Sequence, residues 1–241
     1  MKLIVEKDYQ GLSKRAADII REEMNRKPDL VLGLATGSTP VGMYKELIRF
    51  HKEEGLDFSK VTTFNLDEYV GIDKGNPNSY HYYMKDVFFD HINIKPENTY
   101  IPDGNAPDLE KHCKEYDRLI EEKGGIDVQV LGIGENGHIA FNEPDDELNV
   151  GTSIVKLTQS TIEVNSRFFD SIEDVPKFAI TMGIGSIMKA RKILLLANGI
   201  RKSNVIKELL KGDKISTRLP ASILLLHPDL TVIVDEEAYN G

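Results

Sequence analysis

The sequence predicts an α/β fold in which a mostly parallel sheet is covered by helices on both faces. Short β-branched or leucine-rich runs alternate with longer helical patterns along nearly the whole chain. Such alternation is typical of βαβ units, whose strands lie parallel to one another. No Pro/Gly/Ser-rich linker, internal repeat or low-complexity segment interrupts the pattern. We therefore expect residues 1–241 to form a single domain.

The apolar runs and their periodicity place the elements in order along the chain. Strands are predicted at Lys2–Val5, Leu30–Leu34, Val61–Asn65, Ile126–Ile133, Phe178–Met182, Lys192–Ala197 and Thr231–Val234. Helices are predicted over residues 9–26, 41–53, 78–89, 107–123, 160–169, 184–190, 201–210 and 217–225. Ser160 and Glu163 fit a capping box at the start of the helix over 160–169. Residues 66–77 and 134–152 are expected to be long loops, which are often functional.

Composition and charge exclude several classes of function. The longest apolar runs stop after about five residues, far short of a membrane span. The formal net charge of −9 disfavours nucleic acid or an anionic membrane as a partner. One cysteine and no Cys/His cluster with zinc spacing predict a reducing, cytoplasmic location and no metal site. An anionic ligand would therefore need positive potential that is gathered locally.

The segment from Ala35 to Pro40 follows an apolar strand and begins a helix. Ser38 or Thr39 would cap that helix, and Pro40 suits its first position. Gly37 and the two hydroxyls would let the backbone approach a phosphate closely at the helix N-terminus. A well-capped helix start with no ligand explains the same residues, and no lysine completes a Walker A loop.

The sequence Gly132-Ile-Gly-Glu-Asn-Gly137 matches a dinucleotide fingerprint only formally. A polar loop and Pro144 follow it instead of a helix, and no acidic residue ends a strand about 20 positions later. We therefore expect no dinucleotide cofactor. His138 and Glu143 project from the same loop, and an imidazole near a carboxylate suits general acid–base chemistry. The alternative is a loop histidine that is satisfied by a backbone carbonyl.

Two further strand ends carry charged pairs. Asp67 and Glu68 could supply a catalytic base, act as metal ligands or lie in a solvated turn. Without further information, the residue types slightly favour the solvated turn. If the pair is functional, one carboxylate faces the crevice and the other packs elsewhere. Arg201 and Lys202 oppose a helix dipole unless an anion lies nearby, although an exposed solvated pair is the simpler account. Cys113 shares an apolar helical stripe and is expected to pack in the core.

These features follow the ends of four different strands. If the strands are parallel, a hydroxyl-rich turn, a carboxylate pair, a histidine loop and a basic pair converge on one crevice. That convergence indicates an enzyme that acts on a phosphorylated small molecule. The other five histidines have unremarkable surroundings and are assigned no role.

The motifs closely resemble those of the glucosamine-6-phosphate deaminases, in the glucosamine/galactosamine-6-phosphate isomerase family. The resemblance runs from Met1 to about Asp235 and rests on Leu34–Pro40, Thr63–Gly71, Asn76–Tyr80, Gly132–Pro144 and Asn165–Phe169. It implies a Rossmann-like three-layer sandwich, shared with phosphogluconolactonases and ribose-5-phosphate isomerases of one type. It also implies an isomerising hydrolase of amino-sugar catabolism, which converts glucosamine 6-phosphate and water into fructose 6-phosphate and ammonia.

The resemblance also implies a role for each site residue. Asp67 would move a proton between C2 and C1 of the opened sugar. His138 would open the ring, with Asn136 and Glu143 orienting it. The implied phosphate clamp is Gly37, Ser38, Thr39, Arg167 and Lys202. No metal or other cofactor is implied, and longer family members form homo-oligomers, so the resemblance allows one here.

One residue departs from the family pattern, and two other functions remain open. Many family members have aspartate where this chain has Asn136, so any charged partner of His138 would have to be Glu143. A 6-phosphogluconolactonase usually continues its histidine loop Ala-Ser-Leu-Phe-Pro, where this chain has Ala140-Phe-Asn-Glu-Pro144. A non-catalytic sugar-phosphate-binding module would have no need of a base, an imidazole and a second carboxylate together.

Overall fold

The computed structural model describes residues 1–166, 169 and 171–241. Its strands are β1 (Lys2–Glu6), β2 (Val31–Leu34), β3 (Thr62–Asn65), β4 (Asp67–Tyr69), β5 (Thr99–Tyr100), β6 (Val128–Gly132), β7 (Ser153–Lys156), β8 (Phe178–Thr181), β9 (Lys192–Ala197) and β10 (Leu230–Asp235). Its α-helices are α1 (Tyr9–Arg26), α2 (Val41–Glu54), α3 (Tyr80–Val87), α4 (Leu109–Glu122), α5 (Gln159–Asn165), α6 (Ile184–Met188), α7 (Ser203–Lys211) and α8 (Glu236–Asn240). Short 3₁₀-helices include Phe89–His91, Pro96–Asn98, Ile172–Asp174, Ile200–Lys202 and Pro220–Leu226.

A parallel sheet forms the centre of the molecule. Its strand order is β1-β10-β9-β6-β2-β3-β5, and every pairing between neighbours is parallel. β2 and β3 end level with each other, and so nearly do β6 and β9, because Leu34 pairs with Asn65 and Gly132 pairs with Leu196. The loops that follow β2, β3, β6 and β9 therefore begin at the same edge of the sheet.

The two faces of the sheet are covered by different helices. Successive side chains of a strand point to opposite faces, so Ile193 and Leu195 pack on one side of β9 and Leu194 and Leu196 on the other. One side is covered by apolar side chains of α1, α2 and α3, and the opposite side by those of α4, α6, α7 and α8. This arrangement confirms the predicted three-layer α/β sandwich.

A smaller antiparallel sheet, in the order β4-β8-β7, stands beside the main one. The predicted strand Phe178–Met182 exists as β8, but it belongs to this sheet and not to the parallel one. β4 falls within the predicted loop 66–77, so that part of the loop prediction is wrong. Aspartate and glutamate disfavour strands intrinsically, and pairing with β8 overrides that preference.

Several predicted helix boundaries are wrong. The residue that precedes α2 is Pro40, and neither Ser38 nor Thr39 caps the helix with its side chain. α5 begins at Gln159 with Thr158 as its cap, so Ser160 is not the start of a capping box. The segment predicted as a helix over 217–225 forms the 3₁₀-helix Pro220–Leu226 instead. In the described ranges, no helix is long and apolar enough to cross a membrane.

Candidate active site

A cleft of about 380 Å³ opens where the central strands end. It brings together residues from the loops after β2, β3, β6 and β9, as the parallel topology predicts. The predicted site residues that line it are Gly37, Ser38, Thr39, Asp67, Asn136, His138 and Lys202. Glu143 lies directly behind His138, and Arg167 lies outside the described residues.

Asp67 is a buried carboxyl group at the wall of this cleft. It is the first residue of β4, where it pairs with Thr181 of β8, and only 7% of its surface is exposed. Burial, together with the negative charge of Glu68, raises the pKa of Asp67 to about 8. The solvated turn that the residues alone favoured is therefore wrong. A carboxyl group in this state is a stronger base than an exposed aspartate.

Glu68 is turned away from the cleft and is 1% exposed. Its carboxylate accepts hydrogen bonds from the backbone N–H groups of Tyr69, Tyr80 and His81 at 2.9 to 3.0 Å. The ring Nδ1 of His81 also lies 2.8 Å from it. Glu68 thus binds the N-terminus of α3, which favours a negative charge. The expectation that only one carboxylate of the pair faces the crevice is confirmed.

The loop after β6 is built closely around His138. A Cβ atom on Gly134 would lie 2.3 Å from the imidazole Cε1, so only glycine fits beneath the ring. The backbone N–H of Gly134 donates to the carbonyl of His138 at 2.9 Å, which closes the turn. Ala140 has φ +52°, a left-handed conformation that is unfavourable for a residue with a Cβ atom. The side-chain amide of Asn142 holds this turn by donating to the carbonyls of Ile139 and Met182 at 3.0 Å.

His138 faces a carboxylate and not a backbone carbonyl. Its ring Nδ1 lies 3.2 Å from Glu143 Oε2, and this nitrogen makes no well-aligned hydrogen bond within the described part of the chain. Asn136 donates to the same Oε2 at 2.7 Å, and Thr161 Oγ1 donates to Oε1 at 2.5 Å. Burial acts to raise the pKa of Glu143, but His138, Thr161 and Asn136 together outweigh it and lower the pKa to about 2. Glu143 is therefore the charged partner of His138, and Asn136 supplies only hydrogen bonds.

The opposite end of the cleft suits an anion. Gly37 has φ +94°, which favours glycine, and no atom lies within 4 Å of the place where its Cβ would be. Lys202 reaches the cleft, where burial lowers its pKa and Glu135 partly offsets that effect. The expectation of a solvated basic pair holds only for Arg201, whose side chain is 75% exposed and lies 3.5 Å from Glu135.

Some lining residues were not predicted. Tyr80 and Phe141 belong to the motifs that carried the family resemblance, but no chemical signal separated them from core aromatics. Thr161 was assigned to a helix without a role, because its contact with Glu143 joins residues 18 positions apart. Cys113 is buried as predicted, and burial raises the pKa of its thiol to about 11. Over the described residues, no group of three or more His, Cys, Asp or Glu side chains could hold a metal ion.

The fold and the site define an α/β protein with an acid–base cleft at the carboxyl ends of its parallel strands. Residues 6–233 match the model of the family described as glucosamine-6-phosphate isomerases/6-phosphogluconolactonase. The chain belongs to this family.

Individual relatives are similar to this chain over nearly its whole length. The glucosamine-6-phosphate deaminase of Thermoanaerobacter pseudethanolicus is 56% identical over 99% of this chain and 94% of its own. The protein of the same name from Halothermothrix orenii is 55% identical over 99% of this chain and 98% of its own. A solved structure, described as a monomeric glucosamine-6-phosphate deaminase, superposes with a TM-score of 0.96 at 50% identity, over 99% of this chain and 98% of that one. The family resemblance seen in the motifs is confirmed.

The 6-phosphogluconolactonases are more distant. The enzyme from Thermotoga maritima has a TM-score of 0.75 at 22% identity, over 97% of this chain and 98% of that one. This likeness shows a shared fold.

Proposed function

We propose that the chain converts glucosamine 6-phosphate and water into fructose 6-phosphate and ammonia. The observation that carries this proposal is a buried carboxyl group with a raised pKa, Asp67, in the same cleft as an imidazole–carboxylate pair. Relatives that are 54–56% identical over nearly the whole chain and bear the name glucosamine-6-phosphate deaminase support it.

The phosphate binds at the end of the cleft formed by Gly37, Ser38 and Thr39. Backbone N–H groups and the Ser38 hydroxyl surround the anion, the Thr39 hydroxyl donates to Asn198 at 2.8 Å, and Lys202 supplies positive charge. Arg167 is a further cation for this clamp, as the family resemblance implies. Because the molecule carries a net charge of −9, these local groups are needed to hold a dianion. The binding energy of the phosphate fixes the sugar in register for the chemistry at its other end.

His138 opens the sugar ring. Its imidazole takes the proton of the C1 hydroxyl and returns a proton to the ring oxygen as the C1–O bond breaks. The transient imidazolium is stabilised by the anionic Glu143, whose Oε2 lies 3.2 Å from Nδ1. Asn136 and Thr161 hold that carboxylate in place by hydrogen bonds.

Asp67 then transfers a proton between neighbouring carbons. The C2–H bond breaks and a C1–H bond forms, while the oxygen on C1 gains a proton and the nitrogen on C2 loses one, so the aldehyde becomes an alcohol and the amine becomes an imine. Water cleaves this imine to the ketone and ammonia, so the atoms balance without an oxidant or reductant. A carboxylate with a pKa of about 8 is well matched to proton transfer at neutral pH.

The test compares two substrates on the purified chain. We expect glucosamine 6-phosphate to release ammonia and fructose 6-phosphate, and 6-phosphogluconolactone to be hydrolysed no faster than without protein. Asp67→Asn is the matched control, because asparagine keeps the shape of the side chain but accepts no proton from C2. Lactone hydrolysis without ammonia release would indicate a lactonase. Binding of the phosphosugar with neither reaction would indicate a binding module.

A further inference from the structure

Three tyrosine hydroxyls hold the backbone of the loop between β2 and α2. They come from different helices, since Tyr9, Tyr44 and Tyr83 lie on α1, α2 and α3. Each donates to carbonyl oxygens of the loop: Tyr44 to Ala35 at 2.6 Å, Tyr83 to Gly37 at 2.6 Å, and Tyr9 to Ser38 at 3.0 Å and Thr39 at 3.1 Å. None of the three tyrosines is among the residues that line the cleft. The carbonyls are therefore bound from behind the loop.

Tyr9 also replaces the missing cap of α2. Its hydroxyl accepts a hydrogen bond from the backbone N–H of Gly42 at 2.8 Å. A Cβ atom on Gly42 would lie 2.1 Å from Ser13 Oγ and 3.0 Å from Tyr9 Cζ, so glycine is required for this approach of α1. Because Tyr9 binds the Gly42 N–H in the first turn of α2, that group needs no cap from the hydroxyl of Ser38 or Thr39.

The orientation of these carbonyls fixes the orientation of the amides. In a trans peptide unit, the C=O of one residue and the N–H of the next point in opposite directions. The bound carbonyls of Ala35, Gly37 and Ser38 therefore turn the next N–H towards the cleft, whereas Thr39 precedes Pro40, which has no N–H. Between residues 36 and 39, no backbone N–H donates to an acceptor in the part of the chain that the structure describes. These donors are available to a ligand.

We propose that Tyr9, Tyr44 and Tyr83 are positioning residues that hold the phosphate loop with its N–H groups facing the anion. This inference rests on the proposed function, because it assigns a task to residues behind the proposed phosphate site. Burial raises the pKa of both Tyr44 and Tyr83, so their hydroxyls stay protonated donors at neutral pH.

Tyr83→Phe is the most direct test, with Tyr82→Phe as its matched control. The neighbouring Tyr82 is 41% exposed, and its hydroxyl makes no hydrogen bond to the described residues. Affinity for inorganic phosphate is measured by calorimetry, and KM and kcat for glucosamine 6-phosphate are measured separately. We expect Tyr83→Phe to weaken phosphate binding and raise KM about three- to tenfold, the usual effect of one hydrogen bond, with kcat within twofold. Tyr82→Phe should match the wild type in each measurement.

Tyr9→Phe is a second variant that tests the same loop from another helix, and thermal unfolding verifies that each variant is folded. Wild-type phosphate affinity in both Tyr83→Phe and Tyr9→Phe would overturn the inference. So would an equal loss in Tyr82→Phe, or failure of the wild type to bind phosphate. If the wild type binds phosphate and Tyr83→Phe weakens it, but no ammonia is formed, the proposed reaction fails and the tyrosine assignment stands.

Discussion

Asp67 determines how the proposed reaction depends on pH. Its pKa is raised to about 8 by burial and by Glu68, and a general base acts only when it is deprotonated. We therefore expect kcat/KM to rise with pH up to about 8 and to level off above it, after correction for titration of the substrate. A profile that is already flat between pH 5 and 7 would contradict this assignment of the base.

Thr161 is expected to act through Glu143. Its hydroxyl donates to Glu143 Oε1 at 2.5 Å and helps to keep the pKa of that carboxyl group low. Thr161→Val should lower kcat/KM about three- to tenfold, since one hydrogen bond to a charged group is lost. Thr161→Ser is the matched control, because it keeps the hydroxyl. Equal activity in the valine and serine variants would show that the contact has no effect on catalysis.

At the level of single residues, the sequence predicted the types of chemistry better than their partners. The glycine-flanked loop around His138 indicated an acid–base site, and the structure places Glu143 beside it. The burial of Asp67 could not be predicted, because it depends on the pairing of β4 with β8. The family resemblance, and not local propensity, assigned Asp67 its role.

Among the elements, the segment before α7 carries a matched pair of cations for testing the phosphate end. Lys202 lines the cleft, whereas the neighbouring Arg201 is exposed. Lys202→Ala should raise KM for glucosamine 6-phosphate by at least about tenfold, because a charge-assisted contact to phosphate is lost. Arg201→Ala should stay within about threefold of the wild type. Steady-state kinetics give KM for both variants, and an equal rise in KM in the two would contradict a specific role for Lys202.

Elements of the main sheet were predictable because each carries a strong local signal. The strands β2, β6 and β9 are mostly apolar runs. The helices α1, α2 and α7 show clear amphipathic periodicity. The helix starts were less predictable, because contacts distant in sequence decide them. Tyr9 of α1 binds the Gly42 N–H in the first turn of α2, and neither the hydroxyl of Ser38 nor that of Thr39 caps the helix.

Burial of Asp67 lowers the free energy of unfolding of the whole molecule at neutral and higher pH. Its folded-state pKa, about 8, is above that of an exposed aspartate, so the unfolded chain loses this proton first as pH rises. Asp67 therefore does not lower the free energy of unfolding below about pH 4, and it lowers that free energy progressively as the pH rises to about 8. Asp67→Asn should therefore be more stable than the wild type by on the order of 5 kcal/mol at pH 8.

Chemical unfolding at pH 5 and pH 8 measures this effect. The gain of Asp67→Asn in the free energy of unfolding should be smaller at pH 5 than at pH 8. The reason is that the carboxyl group would be ionised in the unfolded chain at both pH values, and burial keeps it protonated at a free-energy cost that grows with pH. An Asp67→Asn variant that is less stable than the wild type at pH 8 would contradict the burial of an uncompensated carboxyl group.

At the scale of the whole molecule, the convergence of the site was predictable from topology alone. Parallel strands end at one edge, so residues after β2, β3, β6 and β9 had to approach one another. The small antiparallel sheet was not predictable, because its strands are short and come from distant parts of the chain. This sheet supplies the wall that carries Asp67.

The central claim is that Asp67 carries the proton between C2 and C1 of a bound amino-sugar phosphate. The most direct measurement follows ammonia and fructose 6-phosphate from the wild type and Asp67→Asn, with inorganic phosphate affinity measured on both. We predict equimolar products from the wild type and a loss of about 10²- to 10⁴-fold in kcat for Asp67→Asn, with phosphate affinity unchanged. Turnover by Asp67→Asn within a few-fold of the wild type would contradict the claim.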